Sequence, residues 1–311
     1  MHDSFQTWHA DWAKSVATQP TLRLFALVDA AQDRRVLSMI GNEALPNECL
    51  FGYDLESPIA LSTPRLVAIA NPQTSRLASW LLRTMPEKPV ATLLASANDL
   101  ATLAAHLRQF LDVELDGIDS MFLALWDPAI LGTLVGQVDD TTLHVPGPVL
   151  EPQQLADLLA PMSHWWYGDR DGRLHDAVPE SLREPQPSHA PAKLVLEQRQ
   201  IDDLVEASVP DHLLQHIRQN QPELLERLAS RDHYRFVRQQ MQRARGHGLE
   251  GTGDLVNYVC LALAYGAEFD AIPAMAKPLA QVQAGTLGFD GALDQVSEDE
   301  LIAASKLPEL L

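Results

Sequence analysis

The hydrophobic pattern of the first half of the chain alternates between short apolar runs and segments of helical spacing. The runs are nearly continuous, which is typical of strands buried on both faces. They lie at residues 22–30, 66–69, 90–95 and 121–126, with shorter strand candidates at 49–51 and 59–61. Residues 75–83 and 98–111 repeat their apolar side chains at helical spacing. This alternation predicts an α/β domain with a mixed sheet and flanking helices.

A different pattern begins after residue 178. Residues 179–192 contain four prolines and few apolar side chains, which predicts a linker. The remainder, residues 193–311, shows only helical spacing, punctuated by Pro and Gly, and therefore predicts an all-α domain. The predicted helices cover residues 193–207, 211–220, 222–245, 253–267 and 274–284. The α/β domain then spans residues 1–178 and ends in an aromatic hairpin at 164–176.

Residues 121–131 organise the α/β domain. An apolar run predicts a buried strand, and Asp127 with Pro128 ends it, because proline cannot donate to a sheet ladder. Asp127 suits a helix N-cap and Pro128 the first helical turn, so a helix is predicted over 129–138. The pattern predicts a strand, a corner and a helix, and by itself no chemistry.

This Trp-Asp-Pro corner resembles the signature of the type VI secretion effector chaperones, the "domain of unknown function" adaptors. Other segments resemble further landmarks of that family in the same order: 24–31, 61–67, 106–111 and 145–148. The resemblance covers roughly residues 21–150. Two arginines that flank the corner in the family correspond here to Ala124 and Ala129, so partner contacts made by those arginines do not carry over.

The composition limits the partners. The formal net charge is −19, from 42 acidic and 23 basic residues, which argues against binding to nucleic acid or to an anionic membrane. The only two cysteines, Cys49 and Cys260, lie far apart in sequence and favour a reducing compartment. The first twenty residues lack the apolar core of a secretion signal. We expect a cytoplasmic protein.

Three motifs suggest chemistry but have simpler interpretations. Residues 246–251 match G-x-G-x-x-G, yet an arginine-rich helix precedes them instead of a strand, which favours a Gly-rich turn. His212 and His216 have the spacing of two metal ligands without a third. Asp29 and Asp127 have the chemistry of a carboxylate pair, although capping explains them better. We therefore predict no catalytic residue, no metal and no cofactor.

Candidate partner-binding residues are arginines and aromatics. The arginines recur at steps of 4, 4, 3 and 7, which predicts one helical stripe: Arg227, Arg231, Arg235, Arg238 and Arg245. Arginine and aromatic side chains are both enriched at protein interfaces. The corner and hairpin candidates are Trp126, Asp127, Trp165, Trp166 and Tyr167. Trp165 and Trp166 are adjacent in a predicted strand and point to opposite faces, so at least one is expected to be exposed or covered by the other domain.

The family resemblance implies a non-enzymatic adaptor. It would hold a toxic effector in the bacterial cytoplasm and load it onto the valine-glycine repeat spike protein. Two alternatives remain at this point: a structural subunit of a larger assembly, and a hydrolase-like enzyme, which would require a polar cluster in a pocket.

Overall fold

A computed structural model describes residues 3–54, 57–115, 119–183 and 194–304 of the chain. It divides into two compact units, Met1–Ala207 and Ser208–Leu311, which we call unit 1 and unit 2. Residues 184–192 of the predicted linker lie outside the described residues, so the linker stays a prediction. Among the described helices, none is both long and apolar enough to cross a membrane.

Unit 1 contains nine strands and the first six helices of the described residues, together with the start of a seventh. In chain order they are α1 (Asp3–Thr18), β1 (Arg23–Asp29), α2 (Arg35–Asn42), β2 (Asn47–Cys49), β3 (Pro64–Ile69), α3 (Arg76–Thr84), β4 (Ala91–Ser96), α4 (Leu100–Arg108), β5 (Asp112–Leu115), β6 (Asp119–Phe122), α5 (Pro128–Val135), α6 (Pro152–Leu159), β7 (His164–Gly168), β8 (Leu174–Asp176), β9 (Val195–Leu196) and α7 (Gln198–Asn220). Helix α7 continues into unit 2.

The strands form two sheets. The larger has six strands in the order β2-β3-β1-β4-β7-β8, and its strand pairs are antiparallel. The smaller has the order β6-β5-β9, with β5 antiparallel to β6 and parallel to β9. An antiparallel sheet with flanking helices followed by a helical C-terminal part confirms the predicted fold class.

Strand β1 shows why its sequence is continuously apolar. Leu24, Ala26 and Val28 belong to a core that includes residues of α1, α2 and α3. The alternate residues Phe25 and Leu27 belong to a second core with α4, α5 and α6. Successive strand residues point to opposite faces, so helices on both faces leave no polar position in the strand.

The same two-sided burial corrects the expectation that Trp165 or Trp166 is exposed. Trp165 is fully buried on the α4–α6 face, where its Nε1 donates to Thr92 Oγ1 at 2.8 Å. Trp166, on the opposite face, lies edge-on to Trp8 of α1, with ring centroids 5.7 Å apart. Helix α1 therefore covers the face of the sheet that carries Trp166, which the sequence alone did not predict.

The corner formed largely as predicted. Asp127 is the N-cap of α5, and its Oδ1 accepts from Ala129 N at 2.8 Å and Ile130 N at 3.2 Å. The helix ends earlier than predicted because Gly136 adopts φ 73°, and a Cβ there would lie 2.6 Å from Pro148 N.

Two strand predictions of unit 1 were wrong in position or type. The strand predicted over 121–126 is β6, which ends at Phe122 and lies at the edge of the small sheet. Leu123 and Leu125 are buried without strand structure, because they pack into the α4–α6 core from the loop before the corner. Residues 59–61 lie in a 3-10 helix, Pro58–Ser62, instead of a strand.

Unit 2 is helical. Its elements are the end of α7, α8 (Pro222–Leu225), α9 (His233–Gly246), α10 (Thr252–Tyr265), α11 (Pro273–Gln283), α12 (Phe289–Leu293) and α13 (Glu298–Ala304). Pro210 lies inside α7 instead of ending a helix, because core residues hold the chain on both sides of it: Leu204 before, Leu213 and Leu214 after. The single helix predicted over 222–245 was wrong, because α8 and a 3-10 helix, Ser230–Asp232, precede α9.

Replacement of the α1 anchor tests the two-sided burial of the sheet. Trp8 is 0% exposed, so Trp8→Ala should lower the free energy of unfolding by about 3–5 kcal/mol through lost burial and the cavity left behind. Lys14→Ala, at an exposed position of the same helix, should change it by less than about 0.5 kcal/mol. Urea denaturation measures both variants, and equal effects would contradict the role of Trp8.

Candidate functional site

Three aromatic side chains form a patch beside the corner, and we call Phe51, Phe122 and Trp126 the aromatic patch. Phe51 is edge-on to both others, with ring centroids 5.3 Å from Phe122 and 5.9 Å from Trp126. Phe51 and Trp126 are half-buried and pack on the α4–α6 core, whereas Phe122 is 67% exposed. An aromatic ring left this exposed on a rigid support is typical of a protein-binding anchor.

Asp127 lies next to Trp126 in sequence, but its carboxylate serves the backbone. It caps α5, and Asp29 similarly accepts from Ala31 N at 2.9 Å. Burial raises the pKa of Asp29, and the charge of Asp127 adds to that increase. The two carboxylates are thus near neighbours, each engaged by a local N–H group. Asp127 therefore caps α5, and its role in partner binding stays a prediction.

The predicted hairpin anchors are not part of this surface. Trp165 and Tyr167 are fully buried and Trp166 is 5% exposed. Tyr167 donates its hydroxyl proton to Asp140 Oδ2 at 3.0 Å inside the core, and burial beside that carboxylate raises the pKa of the phenol. These three residues contribute to the core and expose too little surface to act as anchors.

The predicted arginine stripe is divided among separate elements. Only Arg235, Arg238 and Arg245 lie on α9, whereas Arg231 lies in the preceding 3-10 helix. Arg227 lies before that 3-10 helix and donates to the carbonyls of Leu263 and Ala264, at 2.6 and 2.5 Å, which caps the C-terminus of α10. The prediction of one continuous ridge was wrong, because the chain turns twice between Arg227 and Arg235. Partner binding by the three α9 arginines stays a prediction.

A partly buried network in unit 2 uses an arginine that the stripe did not include. Asp270 accepts from Arg243 Nη2 at 2.6 Å and from Tyr258 OH at 2.6 Å, and His247 Nε2 lies 2.8 Å from its Oδ2. Burial of Asp270 opposes ionisation, but these hydrogen bonds outweigh it and hold the pKa below the ordinary 3.8. The carboxylate joins α9 to α10, which gives His247 of the Gly-rich segment a structural role.

One group of described residues has the composition of a metal site. Ligand atoms of Asp140, Asp169 and His175 lie within 4.8 Å of one another, and all three residues are buried. However, Asp140 already accepts from Tyr167 and from Thr142, whose hydroxyl is 2.6 Å away. Asp169 accepts from the backbone of the hairpin turn and lies 2.9 Å from His175 Nε2. A cation would have to displace these bonds, so we interpret the group as a closed polar network.

A cleft of about 650 Å³ in unit 1 is lined by a serine, a histidine and an aspartate, and the histidine lies between the other two side chains. Ser15 Oγ lies 3.1 Å from His164 Nε2, and His164 Nδ1 lies 2.6 Å from Asp176 Oδ2. These are distances that a nucleophile, a base and an orienting acid would require. Arg183 Nη2 also lies on Asp176 Oδ2, at 2.8 Å.

The surroundings of Ser15 favour a structural role for this group. Ser15 lies within α1, and its hydroxyl has a second partner there, the Asp11 carbonyl, with 2.9 Å between the two oxygens. The amides adjacent to Ser15 are bonded within the helix and cannot form an oxyanion hole. We interpret the contact as a polar link between α1 and β7, beside the stacked rings of His164 and Trp166.

The sequence pattern missed Phe51 and Phe122. Phe122 sits inside an apolar run, between the half-buried Met121 and the buried Leu123, and nothing in the run distinguishes it from them. The sequence did not show that the strand ends at Phe122, so the exposure of this ring could not be predicted. The Asp270 network, the hydrogen bond of Tyr167 to Asp140 and the contact of Ser15 with His164 were also missed, because each joins residues far apart in sequence.

Comparison with known proteins places the aromatic patch inside a recognised domain. Residues 24–144 match the family model described as Domain of unknown function (DUF4123). That domain family is known as a type VI secretion effector-chaperone or adaptor domain. No curated protein and no solved structure matches the chain. All three residues of the aromatic patch lie within the match, whereas the hairpin aromatics and the arginines lie outside it.

The pKa of Asp270 gives unit 2 a dependence on pH with a defined sign. Because the folded pKa is lowered, the stabilisation is present above 3.8 and is lost as the pH falls below it. Asp270→Asn should cost about 1–3 kcal/mol at pH 7 and flatten this acid dependence. Asp294→Asn, at an exposed position, is the matched control. Urea unfolding from pH 7 to pH 3 tests this, and an unchanged acid slope in Asp270→Asn would contradict it.

The role of Ser15 is tested by two alanine variants of α1. Ser15→Ala should lower the free energy of unfolding by about 0.5–1.5 kcal/mol through the lost link to His164. Thr18→Ala, whose hydroxyl bonds only the Lys14 carbonyl in the same helix, should have a smaller effect. The wild-type protein should not react with a fluorophosphonate probe. Stoichiometric labelling that disappears in Ser15→Ala would overturn the structural interpretation in favour of a nucleophilic serine.

Proposed function

We propose that this chain is a noncatalytic adaptor that binds a type VI secretion effector in the bacterial cytoplasm and loads it onto the valine-glycine repeat spike protein. The match of residues 24–144 to the DUF4123 model supports the adaptor class. The effector, the spike and the loading step are our inference from that class.

The exposed aromatic patch is the observation that carries this proposal. Water contact with an exposed phenylalanine is unfavourable, and burying the ring against a partner contributes about 1.5–3 kcal/mol. Phe51 and Trp126 are already fixed by the core beneath them, so little side-chain freedom is lost on binding. Burial of the aromatic patch against a partner can therefore contribute to affinity without rearrangement of unit 1.

The acidic composition is compatible with this role. A net charge of −19 keeps the unbound chain soluble despite an exposed apolar surface, and it favours partners that carry basic side chains. Arg235 and Arg238 of α9 are the candidates for a second contact in unit 2. Asp232 Oδ1 lies 3.6 Å from Arg235 Nη1, and an ion pair with so exposed an arginine is weak.

Removal of the exposed ring tests the proposed contact. The chain is co-expressed with the product of the adjacent downstream gene, and the complex is isolated by size exclusion. Phe122→Ser should weaken the complex by about tenfold to a hundredfold, as expected for 1.4 to 2.8 kcal/mol. Val138→Ser removes another apolar side chain within the family match, 85% exposed but outside the aromatic patch, and should leave the complex intact.

Both variants are at exposed positions, so their unfolding midpoints should match the wild type. Equal affinity for Phe122→Ser and Val138→Ser would remove the aromatic patch from the proposal. Failure of the wild-type chain to form a complex with the products of either neighbouring gene would contradict the adaptor function itself.

A further inference from the structure

We propose that the outer edge of β6 is a docking site for an extended, basic segment of a partner protein, which adds a strand to the small sheet. This inference rests on the partner-binding function proposed for the aromatic patch, and it specifies the chemistry and geometry of the bound segment.

The first observation is the position of β6. It is the terminal strand in the order β6-β5-β9, so within the described residues it pairs on one side only. An unpaired edge presents backbone donors and acceptors to another extended chain. Ser120 and Phe122 are exposed, which leaves this edge accessible at both positions.

The register shows which backbone groups face outward. Leu123 N donates to Leu111 O at 2.8 Å, and bonded pairs alternate along an antiparallel ladder. The next bonded pair is therefore Met121 with Val113, and the backbone groups of Ser120 and Phe122 point away from β5. Glu114, opposite Ser120, agrees with this assignment, because its N–H donates to Leu194 O on the side of β9, at 3.1 Å.

The side chains of this face define the chemistry of the segment. Phe122 lies opposite Asp112, and Ser120 lies opposite Glu114, so all four side chains project from one face of the small sheet. Both acidic residues are exposed, whereas Val113 and Met121 point to the core on the other face. A strand added beside β6 would contact the ring of Phe122 directly. The carboxylates of Asp112 and Glu114 would lie one strand further away, on β5.

These features fit a segment whose side chains on the face shared with Phe122, at every second position, are in turn apolar and basic. Its apolar side chain packs on the aromatic patch, and its lysine or arginine side chains reach across the sheet to Asp112 and Glu114. A second copy of this chain fits less well, because two copies would each bring a net charge of −19 to the contact. The geometry thus favours a basic partner over self-association.

Synthetic peptides test the proposal without a known effector. The first is a ten-residue peptide that carries valine and lysine in turn at every second position, with threonine between them, and the second carries glutamate in place of lysine. A third keeps the lysines but is N-methylated on alternate amides, which removes the donors along one edge. Fluorescence anisotropy measures the Kd of each peptide, and hydrogen exchange with residue resolution reports the amides of β6. The lysine peptide should bind at least about tenfold more tightly than the other two, and it should slow exchange at Ser120 and Phe122.

Ser120→Pro provides the protein variant, with Ser120→Ala as its control. Proline removes an N–H that points away from β5, so it should weaken binding of the lysine peptide about tenfold while the ladder with β5 is retained. Ser120→Ala keeps the N–H and should bind within about twofold of the wild type. The N-methylated peptide gives the same test on the wild-type protein, whatever the folding yield of Ser120→Pro.

Equal binding of all three peptides, or peptide binding without protection of β6, would overturn the strand-addition proposal. Protection of Ser120 and Phe122 that grows with protein concentration in the absence of peptide would also overturn it, because the occupant would be a second copy. An effector complex that forms normally with Ser120→Pro would reject this docking mode and leave the adaptor function intact. Peptide binding without a complex between the chain and its genomic neighbours would reject the adaptor function and retain the docking edge.

Discussion

Burial of the six-stranded sheet on both faces is the constraint on which the rest of unit 1 depends. The central strand β1 contributes alternate residues to two separate cores, so helices must cover both sides. Helix α1 completes one of these sides through Trp8 and Trp166. Because both faces are covered, the aromatic residues of β7 are buried. A binding surface must therefore form outside the large sheet.

The small sheet provides such a place. Strand β5 lies between β6 and β9, and the core side of β5–β6 carries Val113 and Met121. The opposite face carries Phe122 and carboxylates, and the outer edge of β6 has no strand beside it among the described residues. The aromatic patch links the core to this surface. Phe51 and Trp126 pack on the α4–α6 core, and Phe122 contacts Phe51 and is exposed to solvent.

Local chemistry made part of this arrangement predictable. The corner at Asp127 and Pro128 depends on capping and on fixed φ, which are properties of adjacent residues, and both were correctly inferred. The apolar run of β1 likewise identified a strand buried on both faces. The run at 121–126 misled because continuous apolarity does not distinguish a strand from a buried loop, and Phe122 was hidden inside it. Pro210 misled because tertiary packing on both sides outweighed one missing hydrogen bond.

Polar clusters illustrate a second limit, since composition and distance do not identify chemistry. Ser15, His164 and Asp176 have distances compatible with a nucleophilic site, and Asp140, Asp169 and His175 have a composition compatible with a metal site. The other hydrogen bonds of each group favour a structural role over catalysis. The Ser15 hydroxyl has a helix carbonyl as a further partner, and the oxygens of Asp140 and Asp169 are engaged by internal donors. At the edge of β6, by contrast, the register leaves backbone groups of Ser120 and Phe122 facing outward, and a solvent-exposed strand edge beside an exposed ring favours an external partner.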